Sequence, residues 1–74
     1  MKWKLWKYNG HYIQGDLISE HTSEAAAMKR AKKEIDFLKA IKDERKEETV
    51  IWLDGEGGTP LGIITKKKKA KGRA

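Results

Sequence analysis

The chain lacks cysteine altogether and contains a single proline. Without cysteine it can form neither a disulfide framework nor a thiolate metal site. This absence is typical of reducing compartments, so we expect a cytoplasmic protein. Long apolar runs are also missing. The run at residues 50–53 is far too short to span a membrane, and the basic start "MKWKLWKYNG" has no apolar segment behind it that would make a signal peptide.

The excess of positive charge lies at one end of the chain. The net charge is +6, from 17 basic and 11 acidic residues. Six of the basic residues and none of the acidic ones lie in residues 66–74, so residues 1–65 carry 11 of each sign. The six are Lys66, Lys67, Lys68, Lys69, Lys71 and Arg73. A segment this charged cannot bury itself. We therefore expect one domain over residues 1–65 and a disordered basic tail over residues 66–74.

The first segment, "KWKLWKY", alternates in the manner of a β-strand and is rich in aromatic residues. Asn9-Gly10 suits a two-residue hairpin turn, and "HYIQGDLIS" would be the partner strand, with Trp6 facing Ile13. Trp3 and Leu5 share one side of the first strand. Lys2, Lys4, Trp6 and Tyr8 share the other. The lysines favour this second side as the outward one.

A long helix is predicted next, starting near Thr22 or Ser23 and reaching at least Ile41. Alanine, lysine and glutamate give the segment strong helix propensity. An apolar stripe at three- and four-residue spacing supports the helix. Its members are Ala27, Met28, Ala31, Ile35, Leu38 and Ile41. Acidic residues crowd the end of this segment and would oppose the helix dipole, so either a basic group such as the tail should meet them or the end should fray.

Two further strands, "TVIWL" and "LGIIT", flank the loop "DGEGGTP". Pro60 indicates that the last strand lies at a sheet edge. The predicted order is ββαββ. We expect an α+β fold in which one long helix packs on one face of a four-stranded, mainly antiparallel sheet.

Nucleic-acid binding is the function that the charge and aromatic patterns favour. The tail could bind phosphates without sequence preference, and interleaved lysines and aromatics suit the stacking of single-stranded bases. A core role for the tryptophans is the competing interpretation. The predicted contact residues are Lys2, Lys4, Trp6, Tyr8, Lys29, Arg30, Lys33, Lys66, Lys67, Lys68, Lys69, Lys71 and Arg73. The three on the helix are also consistent with an ordinary solvated face.

Enzymatic chemistry has little support in the sequence. The glycine-rich loop lacks the lysine and hydroxyl of a P-loop and carries two acids. His11 and His21 have no ligand spacing for a metal, and an Asp16–His21 pair would lack a nucleophile. We therefore expect a non-enzymatic protein without metal or cofactor. The alternative function is a protein-interaction module or homodimer that uses the open sheet face or the projecting helix end.

Overall fold

Five antiparallel strands and one helix make up the part of the chain that the computed structural model describes, residues 2–12 and 14–68. The elements are β1 (Trp3–Lys7), β2 (Asp16–His21), α1 (Glu24–Glu34), β3 (Lys39–Glu44), β4 (Glu48–Asp54) and β5 (Pro60–Lys67). The sheet has the order β2-β1-β5-β4-β3. The α+β class and the antiparallel sheet with one helix agree with the prediction, but the sheet has five strands where four were expected.

Helix α1 is eleven residues long and much shorter than predicted. It starts where expected, because the Ser23 hydroxyl accepts a hydrogen bond from the Ala26 N–H at 3.1 Å. It ends before Ile35, with Lys32 and Lys33 in its last turn. Those two lysines complement the negative end of the helix dipole, whereas a longer helix would place a run of acids there.

Strand β3 corrects the prediction that residues 39–44 are helical. It pairs along its whole length with β4, and Ile41 lies opposite Trp52. The apolar residues Leu38 and Ile41 that extended the helical stripe are both exposed. Their three-residue spacing is compatible with a helix but does not require one, because the segment can pair with β4 at the sheet edge. The aromatic and β-branched residues at positions 35–41 also favour strand geometry.

The first hairpin has a longer loop than predicted. Strand β1 pairs with β2 so that Trp6 lies opposite Leu17 and not opposite Ile13, which is outside the described residues. The intervening loop, residues 8–15, turns at Asn9, whose Oδ1 accepts hydrogen bonds from the N–H groups of His11 and Tyr12. Asn9 thus uses its side chain to form a local turn instead of a two-residue hairpin.

Strand β5 corrects the expected edge position, since it lies at the centre of the sheet between β1 and β4. Pro60 is tolerated because it is the first residue of the strand. The predicted loop before it joins two antiparallel strands, with Gly57 and Gly58 at positive φ. The strand continues past residue 65 to Lys67, and the Lys68 N–H donates to the Glu47 carbonyl. The remainder of the predicted tail, residues 69–74, lies outside the described residues.

The core forms between α1 and one face of the sheet, called here the helix face. Its buried members are Trp3, Leu5, Ala27, Ala31, Ile35, Ile51, Leu53 and Ile64. Trp3 and Leu5 thus lie inside, on the side the sequence predicted. Gly62 allows this close packing, because a Cβ there would collide with the Trp6 carbonyl oxygen and lie 2.7 Å from Ile35 Cδ1. The opposite side of the sheet, the open face, is covered by no helix among the described residues.

Within residues 2–12 and 14–68, no helix has the length and hydrophobicity that a membrane crossing requires.

Candidate functional site

A row of apolar side chains crosses the open face from one sheet edge to the other. The strand register brings five residues into line, one from each strand, because residues directly opposite in antiparallel strands share a face. In sheet order they are Leu17, Trp6, Ile63, Trp52 and Ile41. Within this apolar row, Trp6 lies on one side of Ile63 and Trp52 on the other. They occupy the middle of a face that no helix among the described residues covers.

The two tryptophans of the row act as a partial cover for the open face. The Trp6 Nε1–H donates to Thr65 Oγ1 at 2.9 Å, which fixes the indole against β5. Ile63, Val50 and Thr65, which lie on this face, are buried, while both tryptophans are half-buried. Each indole therefore shields its neighbours and still presents part of its surface to solvent.

The ends of the apolar row are open. Leu17, on edge strand β2, has an exposed fraction of 46%, and Ile41, on edge strand β3, has 43%. Tyr8, one residue after β1, is also exposed. Apolar surface is therefore exposed at both edges of the open face, while Ile63 at its centre is buried between the two half-buried tryptophans.

Basic side chains lie along the central strands of the open face. Lys4 on β1 and Lys67 on β5 are on this face, and Lys2 continues the alternation just before β1. We call these three residues the basic strip. Acids also lie on this face: Glu20 on β2 is opposite Lys4, Glu48 on β4 is opposite Lys67, and Asp43 is on β3. The lysines therefore lie on the adjacent strands β1 and β5, and two of them have an acid on the neighbouring strand.

The predicted contact residues fall into two groups. Lys2, Lys4, Trp6 and Tyr8 follow the outward side of β1, and Lys67 joins them on the open face. The other group is on the opposite side of the molecule, because Lys29, Arg30 and Lys33 belong to α1. Arg30 also pairs with Glu34, its Nε lying 2.8 Å from Oε2. The structure does not bring the two groups together.

Lys66 and Lys68 also point away from the open face. The Lys66 Nζ lies 5.1 Å from the centre of the Trp3 ring, in cation–π geometry. The Lys68 Nζ lies 3.1 Å from Glu44 Oε1. Three further predicted contacts, Lys69, Lys71 and Arg73, are outside the described residues.

Glu44 and Lys42 organise the charges at this end of the helix face. Hydrogen bonds from the Thr49 hydroxyl, at 2.9 Å, and from Lys68 hold the pKa of the Glu44 carboxyl below its ordinary value. The Lys42 Nζ is 2.9 Å from Glu24 Oε1, and this hydrogen bond raises the pKa of Lys42. Of the acids that the sequence analysis expected to need a basic partner, Glu44 meets Lys68, although it lies in β3 and not at a helix end.

The structure does not bring together the acid–base pair of Asp16 and His21 that the sequence analysis considered. Asp16 and His21 are at opposite ends of β2, about 17 Å apart at 3.3 Å per residue. His21 instead has Ser19 as its neighbour, with Nε2 2.8 Å from the hydroxyl. Residues 2–12 and 14–68 contain no group of three or more His, Cys, Asp or Glu side chains that could hold a metal ion.

Sequence reasoning missed Trp52 and Arg45 as members of the open face. The sequence analysis weighed a core role for the tryptophans and named only Trp6 among them as a contact residue. The Arg45 guanidinium lies 5.8 Å from the centre of the Trp52 ring. The missed signal is the alternation in "TVIWL", which separates Val50 and Trp52 from Ile51 and Leu53. Both sets are apolar, so the alternation becomes informative only when the partner strands are known.

Comparison of the chain with protein-family models, with curated proteins and with solved structures finds no match.

Proposed function

We propose that this chain is a small non-enzymatic nucleic-acid-associated protein whose open face binds single-stranded DNA or RNA. The observation that carries the proposal is the arrangement of the open face. Two half-buried tryptophans lie in its apolar row, beside a basic strip on the central strands. Rings for stacking and ammonium groups for the backbone are the two components of single-strand binding surfaces.

In the proposed complex, the nucleic acid follows the direction of β1 and β5. Phosphates contact Lys2, Lys4 and Lys67, while bases stack on the exposed surface of Trp6 and continue toward Tyr8. The chain leaves the end of β5 after Lys67, next to the same lysines. The basic residues of 69–74, which follow Lys68 in the sequence, would add sequence-independent affinity. Lys29, Arg30 and Lys33 on α1 stay outside this path.

A pair of charge-matched double variants tests which face binds. K4Q/K67Q removes two positive charges from the open face, and K29Q/K33Q removes two from the helix. Both can be titrated against fluorescein-labelled oligothymidylate and oligouridylate of fifteen nucleotides, with fluorescence anisotropy as the readout at low salt. We expect K4Q/K67Q to weaken binding about tenfold or more and K29Q/K33Q to change it less than threefold. Equal losses in both variants, or no binding by the unmodified chain, would refute the proposal.

The contribution of the tail can be measured separately in the triple variant K69Q/K71Q/R73Q. Neutralising three phosphate-binding side chains should lower the slope of log Kd against log salt by about two, at 0.7 per charge on a single strand. If the triple variant still binds at low salt and K4Q/K67Q still weakens that binding, the open face and not the tail orients the nucleic acid. An unchanged salt slope would exclude the tail from the interface.

A homodimer is the second candidate, favoured by the exposed Leu17 and Ile41 at the ends of the apolar row. Five strands spaced about 4.8 Å apart and about 20 Å long give a face of about 480 Å², or about 1,000 Å² for two copies. Stable interfaces usually bury 1,200–2,000 Å² in total. We therefore expect a monomer in sedimentation velocity at micromolar concentration. A dimer that the I41K variant dissociates would favour the second candidate.

A further inference from the structure

We propose that a hollow on the helix face, at the end of the sheet opposite the β4–β5 loop, binds a phosphate group. Its volume is about 470 Å³, and it is lined by Trp3, Lys42, Glu44, Thr49, Lys66 and Lys68, with Lys67 at its rim. The hollow is open to solvent and has room for several waters, so a phosphate group fits. Of these lining residues Lys67 alone also belongs to the open face, so the proposal rests on the other six, which lie on the helix face.

Thr49 of β4, Lys42 of β3 and Lys68, the residue after β5, surround the Glu44 carboxylate in this hollow. The Thr49 hydroxyl donates to Glu44 Oε1 at 2.9 Å, and the Lys68 Nζ is 3.1 Å from the same oxygen. The Lys42 Nζ is 3.7 Å from Oε2. One hydroxyl and two ammonium groups around an anion are also the groups that bind phosphate. Glu44 therefore occupies an anion site with an anion of its own.

Glu44 can leave this position at small cost. Its side chain is 57% exposed, and surface ion pairs of this kind contribute little to stability. Thr49 is buried, so its hydroxyl stays in place when the carboxylate moves away. The hydroxyl would then need another acceptor, which a phosphate oxygen supplies.

The charge of the hollow favours a phosphate once Glu44 has moved. The lining lysines Lys42, Lys66, Lys67 and Lys68 bring four positive charges, and the carboxylates of Glu24 and Glu44 offset two of them. The remaining two match the charge of a phosphate monoester better than that of the single carboxylate. The lowered pKa of Glu44 is consistent with a positive potential and a donating hydroxyl at this point.

The experiment is a titration of the ¹⁵N-labelled full chain with sodium phosphate at constant ionic strength, followed through the amides of Thr49 and Lys68. We expect saturable shifts at these amides. The E44Q variant, which removes the competing charge, should bind about three- to tenfold more tightly. The matched control E56Q makes the same change in the β4–β5 loop, at the other end of β4, and should leave the affinity unchanged.

Two results would overturn the proposal. The first is the absence of saturable shifts at Thr49 and Lys68. The second is an equal gain in affinity in E44Q and E56Q, which would indicate only a general effect of net charge.

A third variant, T49V, removes the hydroxyl while keeping the side-chain shape, and it should weaken phosphate binding about threefold or more.

The same titration with the dinucleotide TpT, which carries one phosphodiester, distinguishes the sources of the phosphate. Tighter binding of inorganic phosphate assigns the hollow to free phosphate or a phosphate monoester. Equal binding of both, per phosphate group, assigns it to the phosphate group in general, including that of a nucleic-acid backbone.

Discussion

The two faces of the sheet use similar apolar side chains for different purposes. On the helix face, Leu5, Leu53 and Ile64 are fully buried beneath α1 and its flanking residues. On the open face, Ile63 is also buried, but its neighbours in the apolar row become progressively more exposed toward Leu17 and Ile41. The comparison indicates that the helix face supplies most of the stability, which leaves the open face available for binding.

The largest difference should appear when leucines on β1 and β2 are truncated. Leu5→Ala leaves a cavity beneath the helix and should lower the free energy of unfolding by about 2–5 kcal/mol. Leu17→Ala removes a half-exposed side chain and should change it by about 0.5 kcal/mol or less. Urea denaturation followed by circular dichroism gives both values. If the two variants lose the same stability, the open face is as much a core as the helix face.

Gly62 tests how closely the helix face is packed at the centre of the sheet. An alanine Cβ there would press on the Trp6 carbonyl of β1 and on Ile35 after α1. Because a backbone atom must move, Gly62→Ala should destabilise the chain by about 1–3 kcal/mol. Gly10→Ala provides a comparison, since nothing lies within 4 Å of the Cβ position there and only the positive φ opposes it. A stable Gly62→Ala variant would contradict the packing described for β1 and β5.

Substitution of Ser23 tests how much the hydrogen bond at the start of α1 contributes to the free energy of unfolding. Ser23→Ala removes the hydroxyl that accepts the Ala26 N–H, and it should lower the free energy of unfolding by about 1 kcal/mol. Ser23→Asp restores an acceptor and should recover that stability. Thermal unfolding of the three proteins measures the effect. A neutral Ser23→Ala would mean that α1 depends on its apolar side alone.

Substitution of Glu44 should have the smallest effect on the free energy of unfolding, and the effect should depend on acidic pH. Its pKa is lowered in the folded chain, so the ionised carboxylate stabilises folding above its ordinary pKa of 4.5. This stabilisation is lost as the pH falls from about 4.5 through the lowered value. The unmodified chain should therefore lose slightly more stability than Glu44→Gln between pH 6 and pH 3. Parallel pH profiles of the urea midpoint would show that the contacts of Glu44 do not contribute.

Much of the fold follows from local signals in the sequence. The alternation around Trp3 and Leu5 indicates β1 and its inward side, and the alanine-rich segment after Ser23 indicates α1. The β-branched and aromatic residues at 49–53 indicate β4. In each case, propensity and pattern agree with the final environment of the residues.

The errors arise where local signals do not determine pairing partners. Leu38 and Ile41 fit a helical stripe, yet the segment gains more by completing the sheet beside β4. Asn9-Gly10 fits a tight hairpin, yet the Asn9 side chain forms its own turn and moves the register by several residues. The apolar row was missed for the same reason, because it is assembled from five strands whose order the sequence does not give.

We propose that the bases of a nucleic acid stack on the open face and not on the helix face. The chain contains a built-in test, since Trp6 and Trp52 lie on the open face and Trp3 lies beneath the helix. The measurement is the displacement of the three indole N–H resonances during titration with oligothymidylate. The account predicts that the signals of Trp6 and Trp52 shift most and that the signal of Trp3 shifts least. A Trp3 signal that moves as far as the other two when inorganic phosphate alone does not move it, or three signals that do not move at all, would contradict it.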